Sequence, residues 1–328
     1  MMANEMTSRE RVMSAVKGEG VDRVPFAVWR HFYPQEADPE QLAEATVAFA
    51  TRHRLDLVKF NPRAHYHGEP WGTTYEYRGA EKPRLVKNAV ERTEDWARIE
   101  RLETNEPVFR EMLAGLRLVR RALPDIPLIA TIFTPLGAMQ RLATPAQLQN
   151  DLRDDPDAVM PALEAVADTF RALAAECVKI CDGIFLATTP AASRSYLTDA
   201  EYERFGVRYD LAVLGGAAGA PLNVLHVCGD DSPVIALART YAVAAVSWNA
   251  FGRDNPPLDA FLAAVPGKGA IGGISDLAWH DVAQARLDAR TGRDRTGGRR
   301  WIAAGNCTIP VDADPSAIDA VRAELVPA

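Results

Sequence analysis

Apolar positions along the chain fall into two alternating kinds of segment. Short runs rich in β-branched residues recur, and each is followed by a longer stretch whose apolar residues repeat at three- and four-residue spacing. The runs read as strands at 24–29, 55–60, 127–133, 183–187, 222–228, 243–248, 269–274 and 301–305. The longer stretches read as helices, among them 8–17, 39–51, 106–123, 156–179, 198–214 and 315–325. Ser8 is placed to cap the first of these, and Val12, Ala15 and Val16 share one of its faces. Thr198 with Glu201 has the capping-box spacing, and Pro315 after Asp312 and Asp314 suits a helix start. Repeated strand–helix units build a parallel sheet, and eight strands are the number a closed barrel needs.

The expected fold is therefore α/β, a single (β/α)8 TIM barrel spanning residues 1–328 as one domain. Segment 61–106 breaks the period. It is rich in Gly, Pro and aromatics, including His65, Tyr66, His67, Trp71, Tyr75 and Tyr77. It reads as a long loop excursion after the second strand, with a hairpin in TTYEYR, lying over the barrel mouth. Loops of that length are functional or disordered, and the aromatics argue against disorder.

Composition narrows the class. Apolar residues are 48% of the 328, enough for a large core, and the net charge of −7 argues against a nucleic-acid partner. The basic, glycine-rich run RTGRDRTGGRR at 290–300 is expected to be a solvated loop. No apolar run is long enough to span a membrane. The first residues lack the apolar stretch and cleavage site of a secretory signal, so a cytoplasmic protein is expected. Four cysteines in so long a chain do not make a disulfide framework; clustered, they point to metal or catalysis.

The sharpest chemical signal is His226-Val-Cys228-Gly229 at the end of a strand. Side chains two apart on a strand point the same way, so an imidazole and a thiol project together at the barrel's active end. That pair suits zinc. Cys307, after the last strand, could supply a third ligand, because all strand tips ring one mouth. The competing reading makes each cysteine a small, buried apolar side chain. Cys177 and Cys181 are expected to line the core between helix and barrel.

At these residues a resemblance becomes specific. His-x-Cys-Gly, then Cys307 in a GNCTIP turn before a DADPSAIDAV helix, resembles the zinc-dependent methyltransferase branch of the uroporphyrinogen decarboxylase superfamily, which includes the methylcobamide:coenzyme M methyltransferases. SRERVMSAVKGEGVDRVP, IFTPLGAM, TPAASRSYLTDAEYERFGVRY and AIGGISD extend the likeness over nearly the whole chain. The resemblance implies zinc on His226, Cys228 and Cys307, an open ligand position that takes a thiol, and a methyl donor such as a corrinoid carried by a partner protein. Three stretches depart from the decarboxylases proper. Their arginine-rich, glycine-containing loop is replaced by AVWRHFYPQE, with Arg30 and His31. Their second-strand Asp has only Asp56, within LDLVKF, as an approximate match. Their final-strand His is replaced by Asn306-Cys307.

The expected activity is zinc-dependent methyl or alkyl transfer to a thiol or similarly soft acceptor. Metal-free decarboxylation of a smaller acid, worked by Arg30 with Asp56 or a histidine, is the alternative, and a non-catalytic binding protein is the third reading. Candidate catalytic residues are His31, Arg30 and Asp56. Candidate substrate contacts are Trp29, Lys59, Asn61, His65, Thr188, Asn249 and Ser275. Asp230 or Asp231 could orient a metal ligand, and a homodimer is expected of such barrels.

Overall fold

The computed structural model of the chain describes residues 5–326. Nine strands form, numbered in chain order: β1 (Val58–Phe60), β2 (Thr74–Arg78), β3 (Glu81–Lys87), β4 (Leu128–Phe133), β5 (Gly183–Ala187), β6 (Val224–Val227), β7 (Ala245–Trp248), β8 (Gly269–Ile274) and β9 (Trp301–Gly305). Seven make one parallel sheet in the order β1-β4-β5-β6-β7-β8-β9, while β2 and β3 pair as a separate antiparallel hairpin. Strands consecutive in the sheet are joined through helices, the arrangement expected of right-handed strand–helix–strand units.

Segment 24–29, expected as the first strand, forms only an isolated parallel bridge, Phe26 to Ala303. Two features shorten it. Pro25 has no N–H to give, and the Phe26 N–H donates to the Asp56 carboxylate at 2.9 Å instead of to a neighbouring strand. The segment still joins the two edges of the sheet. On one side Ala27 N–H donates to the Ala303 carbonyl at 3.0 Å, and on the other Asp56 N–H donates to the Phe26 carbonyl at 2.8 Å. The curled sheet and this segment together enclose an interior.

Two apolar clusters separate the faces of the sheet. One lies between sheet and helices and holds most of the core. The other lies inside the curl and takes alternate residues from each strand and its approach: Ala27 and Trp29, Leu57, Ile129, Phe185 and Ala187, Val224, Ala245, Ile271, and Ile302 with Ala304. That period of two is the strand's own geometry. Val12 and Val16 of the first helix, Ser8–Lys17, plug the interior at the strands' amino ends. Thr7, one residue before the expected cap, accepts the Glu10 N–H and completes a capping box with Glu10.

Other elements differ from the sequence reading in definite ways. The basic run at 290–300 continues a helix, Val282–Thr296, which stops at Gly297 with φ 60°. Neighbouring arginines of this helix, Arg286 and Arg290, lie against Glu324 of the last helix, Pro315–Glu324, so the helix is docked and not a solvated loop. Within 61–106 lie two 3-10 turns and the β2–β3 hairpin. Tyr66 anchors the start of that segment, buried and donating its hydroxyl to the Thr131 carbonyl at 2.9 Å. Among the described residues no helix is long and apolar enough to cross a membrane.

The plugging helix is tied down by ions. Asp56, just before β1, takes Arg11 at 2.7 Å and Arg23 at 2.6 Å. Asp182, just before β5, takes Arg9 at 2.6 Å and Arg120 at 2.5 Å. Asp56 is fully buried, so removing its charge strands Arg23 and the Phe26 N–H and leaves buried Arg11 with Asp22 alone. Losing one partner of such a network costs roughly 3–5 kcal/mol. Asp56→Ala should lower unfolding stability by about that much in urea titration while leaving ligand binding at the opposite end intact; a loss under about 1 kcal/mol would contradict the assignment.

Candidate active site at the carboxyl end of the sheet

On four of the strands the residues two positions beyond the inner apolar layer are polar. Leu57 is succeeded by Lys59 and Asn61, Ile129 by Thr131, Val224 by His226 and Cys228, and Ala245 by Ser247. All of these but Ser247, which stands behind His226, line a cavity of about 170 Å³ whose wall also includes Trp29, His31, Phe133, Phe185, Thr189, Arg141 and Cys307. Polar side chains at the carboxyl ends of parallel strands, above an apolar floor, are the usual place for chemistry in such folds.

His226, Cys228 and Cys307 all line this cavity. His226 is buried, and its Nδ1 lies 3.2 Å from the Ser247 hydroxyl. Its Nε2 is buried with no hydrogen-bond partner. Phe185 stacks on its ring at 5.0 Å. The Cys228 N–H donates to Thr188 Oγ1 at 3.2 Å, and the chain then turns at Gly229 with φ 99°. A side chain at Gly229 would meet Ser232 Oγ at 3.0 Å and Ser193 Oγ at 3.2 Å, so glycine there serves both the turn and the close approach. Cys307 is an exposed residue whose thiol is sunk into the cavity wall.

The two thiols titrate as a pair. The Cys228 thiol, then the His226 imidazole, hold Cys307 well below the usual thiol range, against the opposing effect of burial. Interaction with Cys307 and then burial push Cys228 up. Among the described residues no three His, Cys, Asp or Glu side chains already stand at metal-ligand spacing. The donor set nevertheless fits zinc chemically: two thiols that influence each other, and an imidazole with one nitrogen oriented by a hydroxyl and the other unspent.

Trp29, His31, Lys59 and Asn61 also line the cavity. His31 Nδ1 lies 2.5 Å from Glu36, and its ring stacks on Tyr33. Lys59 donates to the Asn61 side-chain oxygen and sits over the Phe185 ring at 4.6 Å and the Trp29 ring at 5.3 Å. Burial lowers it to about 7. His65 borders the adjoining outer chamber and not the inner cavity.

Other candidates do not join the site. Arg30 lies between Trp29 and His31 on the opposite parity. Its guanidinium donates to the Val311 carbonyl at 2.6 Å and packs over Phe32 and Phe49. Asp56 sits at the amino end, inside the arginine network. Thr188 lies between the inward Ala187 and Thr189, and its hydroxyl is used on backbone. Asn249 donates to Asp230 at 2.6 Å, and Ser275 donates through its N–H and hydroxyl to Asp288. Asp231 accepts from Ser193 and from the Ser195 N–H, which fixes the neighbouring loop and not a metal ligand. Cys177 and Cys181 are buried in the core beneath the helices.

The sequence reading missed Arg141 and Ser247, while Thr189, a candidate polar contact after β5, does line the cavity. Thr189 holds φ 52°, unusual for a β-branched residue, and donates to the Gln140 side chain at 2.8 Å. Arg141 follows the short helix Pro135–Met139 after β4. Only Ser247 carried a signal, since it lies two residues beyond an inward alanine in an apolar strand.

Residues 7–325 match the family model described as uroporphyrinogen decarboxylase (URO-D), and the chain belongs to that family. No curated protein matches it. Among solved structures it is similar to a methyltransferase from Methanosarcina mazei, with TM-score 0.80 and 17% identity, covering 98% of both chains. It is also similar to a B12-independent methionine synthase from Shewanella sp. W3-18-1 in complex with selenomethionine, with TM-score 0.61 and 10% identity over 92% of this chain and 95% of that one. A putative vitamin-B12 independent methionine synthase from Listeria monocytogenes follows, with TM-score 0.53 and 10% identity over 92% and 94%. At these identities the likeness is one of fold.

Two buried imidazoles at the rim give a pH signature. Burial first, then the Arg141 charge, lower His65 from the ordinary 6.5 to about 4 and His67 well below 6.5. Between those values the unfolded chain takes up protons that the folded chain refuses. Stability is therefore kept above pH 6.5 and lost as pH falls toward 4, by on the order of 3 kcal/mol for His65 alone. The double variant His65→Asn, His67→Asn should show a flatter fall of urea midpoint across that window than the wild type; an unchanged slope would refute the assignment.

Proposed function

We propose that this protein transfers a methyl or related alkyl group to a thiol at the cavity bounded by His226, Cys228 and Cys307, with zinc held by those three residues. The observation that carries the reading is the buried, unpartnered His226 Nε2, beside two mutually interacting thiols at one cavity. When bound, zinc would hold an acceptor thiol as its thiolate near neutral pH. The solved structures of like fold named as a methyltransferase and as methionine synthases agree in direction with this reading.

The chain's own residues bind, orient and exclude water. Ser247 fixes the His226 ring so that Nε2 faces the cavity. Trp29, Phe133 and Phe185 give the cavity apolar walls, which keep a soft sulfur desolvated for attack. His31, steadied by Glu36, is the imidazole at the cavity placed to take the thiol proton. In the transfer the sulfur–carbon bond forms as the donor–carbon bond breaks. The pair of electrons from the broken bond stays with the donor, and the thiol proton leaves. The donor is a methylated corrinoid supplied by a partner protein. Metal-free decarboxylation by Arg30 with Asp56 or a histidine is the weaker reading, because Arg30, which either pair needs, does not reach the cavity and Asp56 lies at the opposite end.

Elemental analysis of protein purified without a metal-affinity step should give about one zinc per chain, lost in both Cys228→Ser and Cys307→Ser. The zinc-loaded protein should methylate a small thiol from methylcobalamin, and the two variants should not. Absence of zinc after reconstitution under reducing conditions would sink the proposal. Ser247→Ala, which removes the hydroxyl that orients His226, should weaken zinc binding by about 10- to 100-fold in competition with a chelator, without unfolding the chain. Unchanged affinity would show that Ser247 does not position the ligand.

A further inference from the structure

Lys59 takes no part in the methyl transfer proposed above, yet it stands in the wall of the same cavity. It lies on β1 opposite Ile129 of β4, on the inward face, so the strand ladder fixes where its stem begins. The residue is only 7% exposed. Its amine sits over the rings of Trp29 and Phe185 and donates to the Asn61 side-chain oxygen. A lysine buried this far is ordinarily paired with a carboxylate. No Asp or Glu among the described residues lines this cavity; its wall holds instead Arg63, Arg141 and the imidazoles of His31 and His226.

Asn61 stands where that carboxylate would be, two residues on and on the same face of the chain. Its amide is held in one orientation, because its NH2 donates to the Arg30 carbonyl at 3.2 Å and its oxygen is thereby turned to Lys59. An amide oxygen accepts a hydrogen bond from an amine as well as from an ammonium, and it brings no charge to hold the proton. Burial therefore governs the proton on Lys59 and lowers it to about 7, with Cys307 acting more weakly in the other direction. Near neutral pH a large share of the chains then carries a free amine at this position, against roughly one in a thousand or fewer for an exposed lysine. Desolvation of this kind is a recognised way to make a lysine nucleophilic.

We infer that Lys59 is a covalent site for a small aldehyde or ketone, which it captures as an imine. The amine nitrogen attacks the carbonyl carbon, the nitrogen–carbon bond forms, and the π pair moves to the oxygen. Both amine protons and that oxygen then leave as water, and a carbon–nitrogen double bond remains, so the step consumes no oxidant or reductant. The faces of Trp29, Phe133 and Phe185 suit the carbon skeleton of a short carbonyl compound, which is what about 170 Å³ admits. By limiting water they also oppose hydrolysis of the imine. The site does not depend on zinc and stands whether or not His226, Cys228 and Cys307 hold a metal.

The test is reductive trapping of the full chain with propanal and sodium cyanoborohydride at pH 7, with the adduct on each lysine followed by peptide mass spectrometry. The exposed Lys17, Lys82, Lys87 and Lys179 serve as the internal reference. Lys59 should be alkylated about tenfold or more faster than they are, and that ratio should shrink as pH rises toward 10 and the exposed lysines lose their protons. Asn61→Asp supplies the missing carboxylate and should cut the ratio at pH 7 about tenfold or more by holding the proton on Lys59. A Lys59 that stays unlabelled, or is labelled no faster than the exposed lysines, overturns the inference, as does a ratio that Asn61→Asp leaves unchanged. If Asn61→Asp does not fold, the wild-type ratio and its fall with rising pH decide the matter.

Discussion

Everything at the site depends on the strict alternation of side chains along parallel strands held in one register around a closed interior. Ala187 lies opposite His226, and His226 opposite Ser247, in the ladders of β5, β6 and β7. Because opposed residues share a face, the hydroxyl that orients the imidazole is a consequence of register and needs no loop to deliver it. The same alternation decides what is absent. A one-residue shift in any strand would turn its polar tip outward among the helices and bring an apolar residue of the helix-facing core to the cavity.

The two ends of this interior do different work with similar residue types. At the amino end, Asp56 and Asp182 gather four arginines and fasten the plugging helix, so charge is consumed by charge. At the carboxyl end the inner cavity keeps an imidazole nitrogen and a guanidinium without partners. Unsatisfied groups are tolerated at one end because the ladders, the inner apolar layer and the ion network of the other end over-determine the backbone that carries them. Thr189, held at positive φ in the cavity wall, belongs to the same pattern.

Much of this was legible in the sequence, and the reasons differ element by element. Strands 183–187, 269–274 and 301–305 read as they form, because their apolar runs are bounded by glycine or charged residues. His226 and Cys228 were legible because spacing of two is itself a geometric statement about a strand. Counting the same parity from Trp29 would have set Arg30 aside, and Asp56 lies at the wrong end of its strand for the mouth. The first strand was legible as a segment but not as a ladder, since the Phe26 N–H is claimed by a side chain far along the chain. Arg141 had no local signal. It lies beyond a short helix after β4, where neither period applies, and only the folded cavity wall gives it meaning.

The arrangement of charge across the mouth follows from these placements. One side carries the two thiols, with His226 beside them. The other carries Arg141, whose field helps keep the buried His65 and His67 neutral. Between them lie the faces of Phe133, Phe185 and Trp29, which cannot screen charge as water does. A molecule lying across this gap meets sulfur and imidazole at one end and a guanidinium at the other. That contrast exists because strand tips and the loops beyond them meet over one apolar floor.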